Sequence, residues 1–183
     1  MPYYQAIVIV ITYATCIVDT VSFGTYICGI SRYWDKNTVQ VCKMAKIKHI
    51  TIASQQPTKT ARFYQDVFDM EFAGKIEGDN AEGCNLSDGN INLAILRFKN
   101  ETVAGELGMK YEGLHHIGFQ VEDLEDTDTK LRNANSLPME DINAALKIGI
   151  ANGHSRNVEL KYEDPDGLMI DVSQHGWVGT DGV

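Results

Sequence analysis

The chain has 183 residues, 44 % of them apolar, which suits one domain with some extra or at most two small ones. Its formal charge of −9 leaves no basic patch, so a nucleic-acid partner held through phosphate contacts is set aside. The four cysteines, Cys16, Cys28, Cys42 and Cys84, show no C-x-x-C spacing, which reads as reduced, buried thiols of a cytoplasmic protein and not as a zinc or redox site.

From Met1 to Ser31 the only formally charged side chain is Asp19. No Lys or Arg precedes Arg32, which argues against a signal peptide. Thr12, Tyr13, Thr15 and Asp19 interrupt the apolar run, which argues against a membrane helix. The composition changes at Met44. Residues 1–43 therefore read as an appendage to a domain spanning 44–183. That appendage is either upstream sequence included by the choice of start, or an extension that pairs at a sheet edge or tethers the chain weakly to a membrane.

Ile47 to Ala53 alternates apolar and polar residues, the pattern of a half-buried strand. Pro57 opens a helix that runs to Asp69 with Ala61, Tyr64, Val67 and Phe68 at helical spacing. Phe63, Tyr64, Phe68 and Phe72 are expected in the core. Strand-like pieces follow at Glu71–Ile76, Gly83–Leu86 and Ile91–Phe98, the last two joined by a turn at Ser87-Asp88-Gly89-Asn90. A second unit opens at Leu114. His116, Gly118 and Gln120 alternate with Ile117, Phe119 and Val121, and alternation puts His115 on the face opposite His116. Glu122-Asp123 precedes a helix reaching about Asn133. The stretch Leu137–Ile150 is expected to hold one more strand and a loop. Asn157–Glu163 and Leu168–Ser173 read as strands around the turn Asp164-Pro165-Asp166-Gly167.

The order strand, helix, three strands thus occurs twice, in modules of about 46–100 and 113–175. The expected fold is α+β, with paired βαβββ modules forming an open, curved mixed-sheet cleft, one facing sheet from each module. His49 and His116 stand at the same place in the two modules, and Asp171 lies in the last strand. Two His and one carboxylate delivered by strands form the ligand set of an open divalent-metal site. A lone His on an apolar strand is ordinarily a core residue; the matched positions favour ligation here. Asp171 has the alternative of a surface carboxylate on an edge strand, Lys161 that of an exposed strand lysine, and His154 that of a solvated loop residue. His175 and Trp177 read as packing residues.

Four segments resemble the vicinal oxygen chelate superfamily, which includes glyoxalase I, extradiol dioxygenases, methylmalonyl-CoA epimerase and the bleomycin-resistance proteins. They are His49 in the first strand, Phe63-Tyr64-Gln65-Asp66-Val67-Phe68-Asp69-Met70, His116-Ile117-Gly118-Phe119, and Asp164-Pro165-Asp166-Gly167. Asp69 stands where the family usually has Gly. The resemblance spans residues 46–175 and implies His49 and His116 as metal ligands. Asp171 takes the place of the usual Glu, so the site would have to contract or keep a bridging water.

The resemblance also bears on chemistry. Glyoxalase I usually takes another carboxylate from the last strand of its first module, and Ile91–Leu96 has none, Asn92 being the nearest polar side chain. Asn152-Gly153-His154, Leu160-Lys161 and the turn before Asp171 match the spacing of the extradiol dioxygenases, with Lys161 in place of their Tyr. The resemblance therefore implies a dioxygenase acting on a small substrate with vicinal oxygens. Its candidate catalytic residues are His154 and Lys161, and its metal is Fe(II) or Mn(II), with Ni(II) or Zn(II) as alternatives. A glyoxalase- or epimerase-type lyase or isomerase is the second reading, and a metal-free small-molecule binding protein of the bleomycin-resistance type the third. The partner is a small molecule, with no nucleic acid and no membrane, and a homodimer is in keeping with the family.

Overall fold

The computed structural model describes residues 44–147 and 159–180. The expectations for residues 1–43 and for His154 lie outside the described residues. In chain order the elements are β1 (Lys46–Ala53), α1 (Pro57–Phe68), β2 (Glu71–Glu77), β3 (Ala81–Ser87), β4 (Asn92–Phe98), α2 (Glu101–Ala104) with a following 3₁₀ turn (Gly105–Leu107), β5 (Gly113–Gln120), α3 (Leu124–Asn133), α4 (Glu140–Ala145), β6 (Glu159–Glu163) and β7 (Met169–Ser173).

The strands form one mixed, unclosed sheet of seven in the order β2-β3-β4-β1-β5-β7-β6. Each module puts its first strand parallel to its last, β1 to β4 and β5 to β7. The modules meet along β1 and β5, which pair antiparallel. The expected α+β fold of paired modules on an open mixed sheet is found, and at this seam backbone hydrogen bonds join the modules edge to edge into one sheet in place of two facing ones, which removes two open strand edges.

Side-chain alternation divides the sheet into two faces. One is covered by helices. Ala61 and Tyr64 of α1 pack on Cys84, Leu86, Leu93 and Ile95, and Leu124 and Leu131 of α3 pack on Phe119, Leu160, Tyr162, Ile170 and Val172. Helix α3 is a well-signalled helix: Asp123 caps it by accepting from the Asp126 N–H, acidic residues fill its first turn, and Lys130 and Arg132 sit in its last. The other face carries His49, Thr51, Asn92, Ala94, His116, Lys161 and Asp171.

Two further expectations fail. Leu137–Ile150 holds no strand among its described residues, only a single bridge from Pro138 to Tyr162 followed by α4. Pro138 has no N–H to continue a ladder. The edge of β6 is instead satisfied by the Met139 N–H and by the Asn143 amide, which donates to the Lys161 carbonyl at 3.0 Å and accepts from the Lys161 N–H at 2.9 Å. Phe63, Phe68 and Phe72 are 53, 61 and 58 % exposed and are not core residues. Of α1 only Ala61 is fully buried, because the helix presents a narrow stripe to the sheet.

Helix α1 ends on Asp69, which adopts the left-handed conformation at φ 55° that the family's Gly would take without steric cost. Asp69→Gly is expected to stabilise the fold by about 1 kcal/mol, measured as a raised urea midpoint with an unchanged slope.

Candidate metal centre

The site is built on the β1–β5 seam. The register slips twice there. Ile47 pairs with Phe119 and His49 with Gly118, leaving Lys48 extra; Thr51 pairs with His116 and Ile52 with Leu114, leaving His115 extra. Each is a bulge, which interrupts alternation and re-aims side chains. His49 and His116 each directly follow the extra residue of their strand, so the two bulges present the two imidazoles to each other. Their Nε2 atoms are 3.3 Å apart. Asp171 pairs with Gly118 from β7, and its Oδ2 lies 3.3 Å from His116 Nε2. Ligand atoms of His49, His116 and Asp171 all fall within 4.8 Å of one another. All three side chains are buried, and Asp171 is not on an edge strand, since β7 runs between β5 and β6.

The hydrogen bonds fix which nitrogen faces the centre. The Asn92 amide donates to the Val178 carbonyl, so its Oδ1 faces His49 and accepts from Nδ1–H at 2.7 Å. That leaves the His49 Nε2 lone pair pointing inward, where the Thr51 hydroxyl lies 2.8 Å away. His116 Nδ1 is engaged by His115 at 2.7 Å, so its Nε2 also faces inward. Two nitrogen lone pairs at 3.3 Å cannot hydrogen-bond to each other. Asp171 Oδ1 is buried with no hydrogen-bond partner among the described residues. His49 Nε2 accepts from the Thr51 hydroxyl, whereas His116 Nε2 faces only another lone pair and a carboxylate, and the three converging groups could hold a metal ion. Nitrogen ligands about 2.1 Å from one ion stand roughly 3.0–3.4 Å apart for bond angles near 90–109°, which is the spacing found. Asp171, despite its shorter side chain, lies close to His116, as the contracted alternative expects.

The electrostatics agree with ligation, which requires neutral imidazoles. His49 is lowered to about 4, chiefly by burial and against the pull of Asp171 and Asn92. His116 is held well below its ordinary value by burial and by nearby Lys161.

Lys161 is 5 % exposed, not an ordinary surface lysine, and its Nζ donates to Asp171 Oδ2 at 2.5 Å. Glu159, two residues earlier and on the same face of β6, was not anticipated. Its carboxyl is pushed up to about 7, mainly by burial and against the pull of Lys161, which lies 4.0 Å away. Strand period alone, counted back from Lys161, could have found it. His115 is not on the opposite face, because the bulge breaks the alternation. It is 1 % exposed and stacked on Phe98 at a centroid distance of 4.3 Å. Trp177 stacks flat on His49, with centroids 5.0 Å apart and planes 3° from parallel. His175 is not among the residues that line the cleft.

The cleft over these residues has a volume of about 330 Å³. His49, Thr51, His116, Glu159 and Lys161 line its polar end, and Leu96, Phe98, Val103 and Met169 its apolar wall. A larger groove of about 450 Å³ beside α1 contains none of the centre's residues.

A sequence model of the Glyoxalase/Bleomycin resistance protein/Dioxygenase superfamily matches residues 46–172, and the chain belongs to that superfamily. Solved structures share its fold. A hypothetical protein of Bacillus halodurans C-125 superposes with a TM-score of 0.56 at 17 % identity, over 71 % of this chain and 94 % of its own. Methylmalonyl-CoA epimerase of Streptomyces coelicolor, in complex with 2-nitronate-propionyl-CoA, gives 0.53 at 21 % identity over 71 and 94 % of the two chains. The epimerase of Mycobacterium tuberculosis gives 0.52 at 16 % identity over 69 and 85 %. No curated protein sequence matches the chain.

Two tests follow from this geometry. The unfolded chain protonates its histidines near pH 6.5, whereas folded His49 does so near 4. Between those values the unfolded state binds more protons at these histidines, so they lower metal-free stability as pH drops from about 6.5 toward about 4, while Glu159, raised to about 7, acts in the opposite sense. Urea midpoints across that range should therefore rise on acidification in the double variant His49→Gln, His116→Gln relative to the wild type, which isolates the histidine contribution. A Cβ on Gly118 would stand 2.7 Å from both His49 Cβ and the Trp177 ring. Gly118→Ala should therefore cost about 1–3 kcal/mol through overpacking and separate Trp177 from His49, read as altered tryptophan fluorescence.

Proposed function

We propose that this protein is a divalent-metal-dependent enzyme that takes a small substrate through two vicinal oxygens, with dioxygenation as its reaction. One observation carries the choice. Asp171 pairs with Gly118, two residues after His116. The internal repeat gives Ala94, which pairs with Thr51, two residues after His49. Ala94 therefore stands where a first-module counterpart of Asp171 would stand, and it has no ligating atom. Two His and one carboxylate remain, the set that leaves positions open on a non-haem Fe(II) centre.

In this reading His49, His116 and Asp171 hold Fe(II) or Mn(II), with Ni(II) or Zn(II) as alternatives. When bound, such an ion lowers the pKa of coordinated hydroxyls and acts as a Lewis acid toward them. The protein's own groups supply the rest. Asn92 fixes the His49 ring. Lys161 holds Asp171 and places a cation at the polar end of the cleft. Leu96, Phe98 and Met169 give the substrate body a dry wall. His154 is assigned as acid/base for the bound substrate on the spacing of its segment, outside the described residues.

A specific observation favours the second reading. Glu159, raised to about 7 and lining the cleft, is a carboxyl suited to moving a proton at neutral pH, as an isomerase or lyase of the epimerase or glyoxalase type requires.

The experiment is elemental analysis of protein purified without chelator or oxygen, with oxygen uptake on a panel of catechols and deuterium exchange on 2-acyl thioesters. Near-stoichiometric Fe or Mn with oxygen uptake, both lost in His116→Ala, is the expected result. Exchange without oxygen uptake, abolished in Glu159→Gln, moves the assignment to the isomerase. No metal taken up by a correctly folded protein overturns both readings and leaves a metal-free binding protein.

A further inference from the structure

We propose that His115 is the positioning residue of the metal centre. It locks the His116 ring with Nε2 toward the cleft by accepting a hydrogen bond from His116 Nδ1–H. This inference rests on the ligand assignment above and adds a residue that the repeat does not foretell. In the first module the bulge places Lys48 before the ligand, and Lys48 turns away to donate to Asn90 Oδ1. His49 is oriented by Asn92 instead. The second-module counterpart of Asn92 is Met169, which pairs with His116 as Asn92 pairs with His49 and offers no amide. The His116 ring therefore needs its outer partner from elsewhere, and the bulge delivers His115.

The protons are settled by what lies at the far end. The Ala104 carbonyl, 3.1 Å from His115 Nε2, can only accept, so Nε2 carries the proton. A neutral His115 then presents a bare Nδ1, 2.7 Å from His116 Nδ1. Only one hydrogen fits between the two nitrogens, and it belongs to His116. The relay runs from the Ala104 carbonyl through the His115 ring to His116, and ends in the inward Nε2 lone pair. Phe98 stacks on His115 and holds its plane. Outer partners of this kind set ring orientation and raise ligand basicity, and their loss typically weakens metal binding roughly 10- to 100-fold.

Two measurements test this. Co(II) affinity is determined by competition with a chelator, alongside the visible Co(II) spectrum, for the full-length protein, His115→Phe and His115→Asn. Phe keeps an aromatic ring on Phe98 but removes the acceptor; Asn restores an acceptor oxygen near the Nδ1 position. His115→Phe should bind Co(II) roughly 10- to 100-fold more weakly with a changed spectrum, and His115→Asn should recover most of the loss. Wild-type affinity in His115→Phe, or a failure of His115→Asn to exceed it, overturns the proposal. Should His115→Phe not fold, long-range ¹H–¹⁵N correlation on histidine-labelled, metal-free wild-type protein decides. His116 as the Nδ1–H tautomer and His115 as Nε2–H are expected; the reverse overturns it. Absence of Co(II) binding by the wild type alone would instead sink the ligand assignment, whatever the tautomers.

Discussion

The antiparallel pairing of β1 with β5 is the constraint on which the rest of this protein depends. It joins two similar modules into one sheet and sets His49 and His116 on neighbouring strands. Perfect pairing would not suffice. Each strand carries one extra residue just before its histidine, and the two bulges turn the rings until their Nε2 atoms are 3.3 Å apart. Gly118 leaves room at the seam for His49 and Trp177 to approach, and β7 adds Asp171 from the neighbouring strand. The cleft is thus a product of strand pairing, held by backbone hydrogen bonds that are spread over the full length of both strands.

The open face is polar at a cost that the helix-covered face offsets. Asp171, Lys161, His49, His116 and His115 are all buried there. Burial of so many polar groups is tolerated only when each has a partner. Nearly all of them do: Asp171 with Lys161, His49 with Asn92, His116 with His115, and His115 with the Ala104 carbonyl. The exceptions lie at the centre itself, where two lone pairs oppose each other and Asp171 Oδ1 has no partner among the described residues. This unmet demand is what supports the proposed cation; the indole N–H of Trp177, stacked on His49, is likewise without a hydrogen-bond partner among the described residues. Lys161 holds Asp171 Oδ2, the same oxygen that lies 3.3 Å from His116 Nε2.

Much of this was legible in the sequence, for identifiable reasons. Period-two alternation in Ile47–Ala53 and Leu114–Val121, helical spacing after Pro57 and the turn at Asp164–Gly167 encode the repeat, and the repeat gives His49 and His116 equivalent positions in the two modules. Asp171 follows from its distance to the turn glycine. What stayed hidden depends on register. A one-residue bulge leaves an alternating pattern intact in the sequence, so alternation alone puts His115 on the wrong face. The vacant ligand position at Ala94 can be recognised only once its pairing with Thr51 is known. Asn143 substitutes a side-chain amide for a strand, which no periodicity reports. The aromatic residues of α1 sit at helical spacing, yet Phe63 and Phe68 are exposed, because a helix lying on a sheet buries a narrower stripe than its apolar residues span. Glu159 lies within reach of a period-two count from Lys161.

The central claim is that two imidazoles and one carboxylate from the two modules bind one ion. X-ray absorption at the metal edge of the Mn(II)- or Fe(II)-loaded protein tests it most directly. The account predicts a shell of nitrogen and oxygen ligands whose multiple-scattering features require two imidazoles, falling to one in His49→Ala. A spectrum fitted without histidine, or one unchanged in that variant, would contradict it.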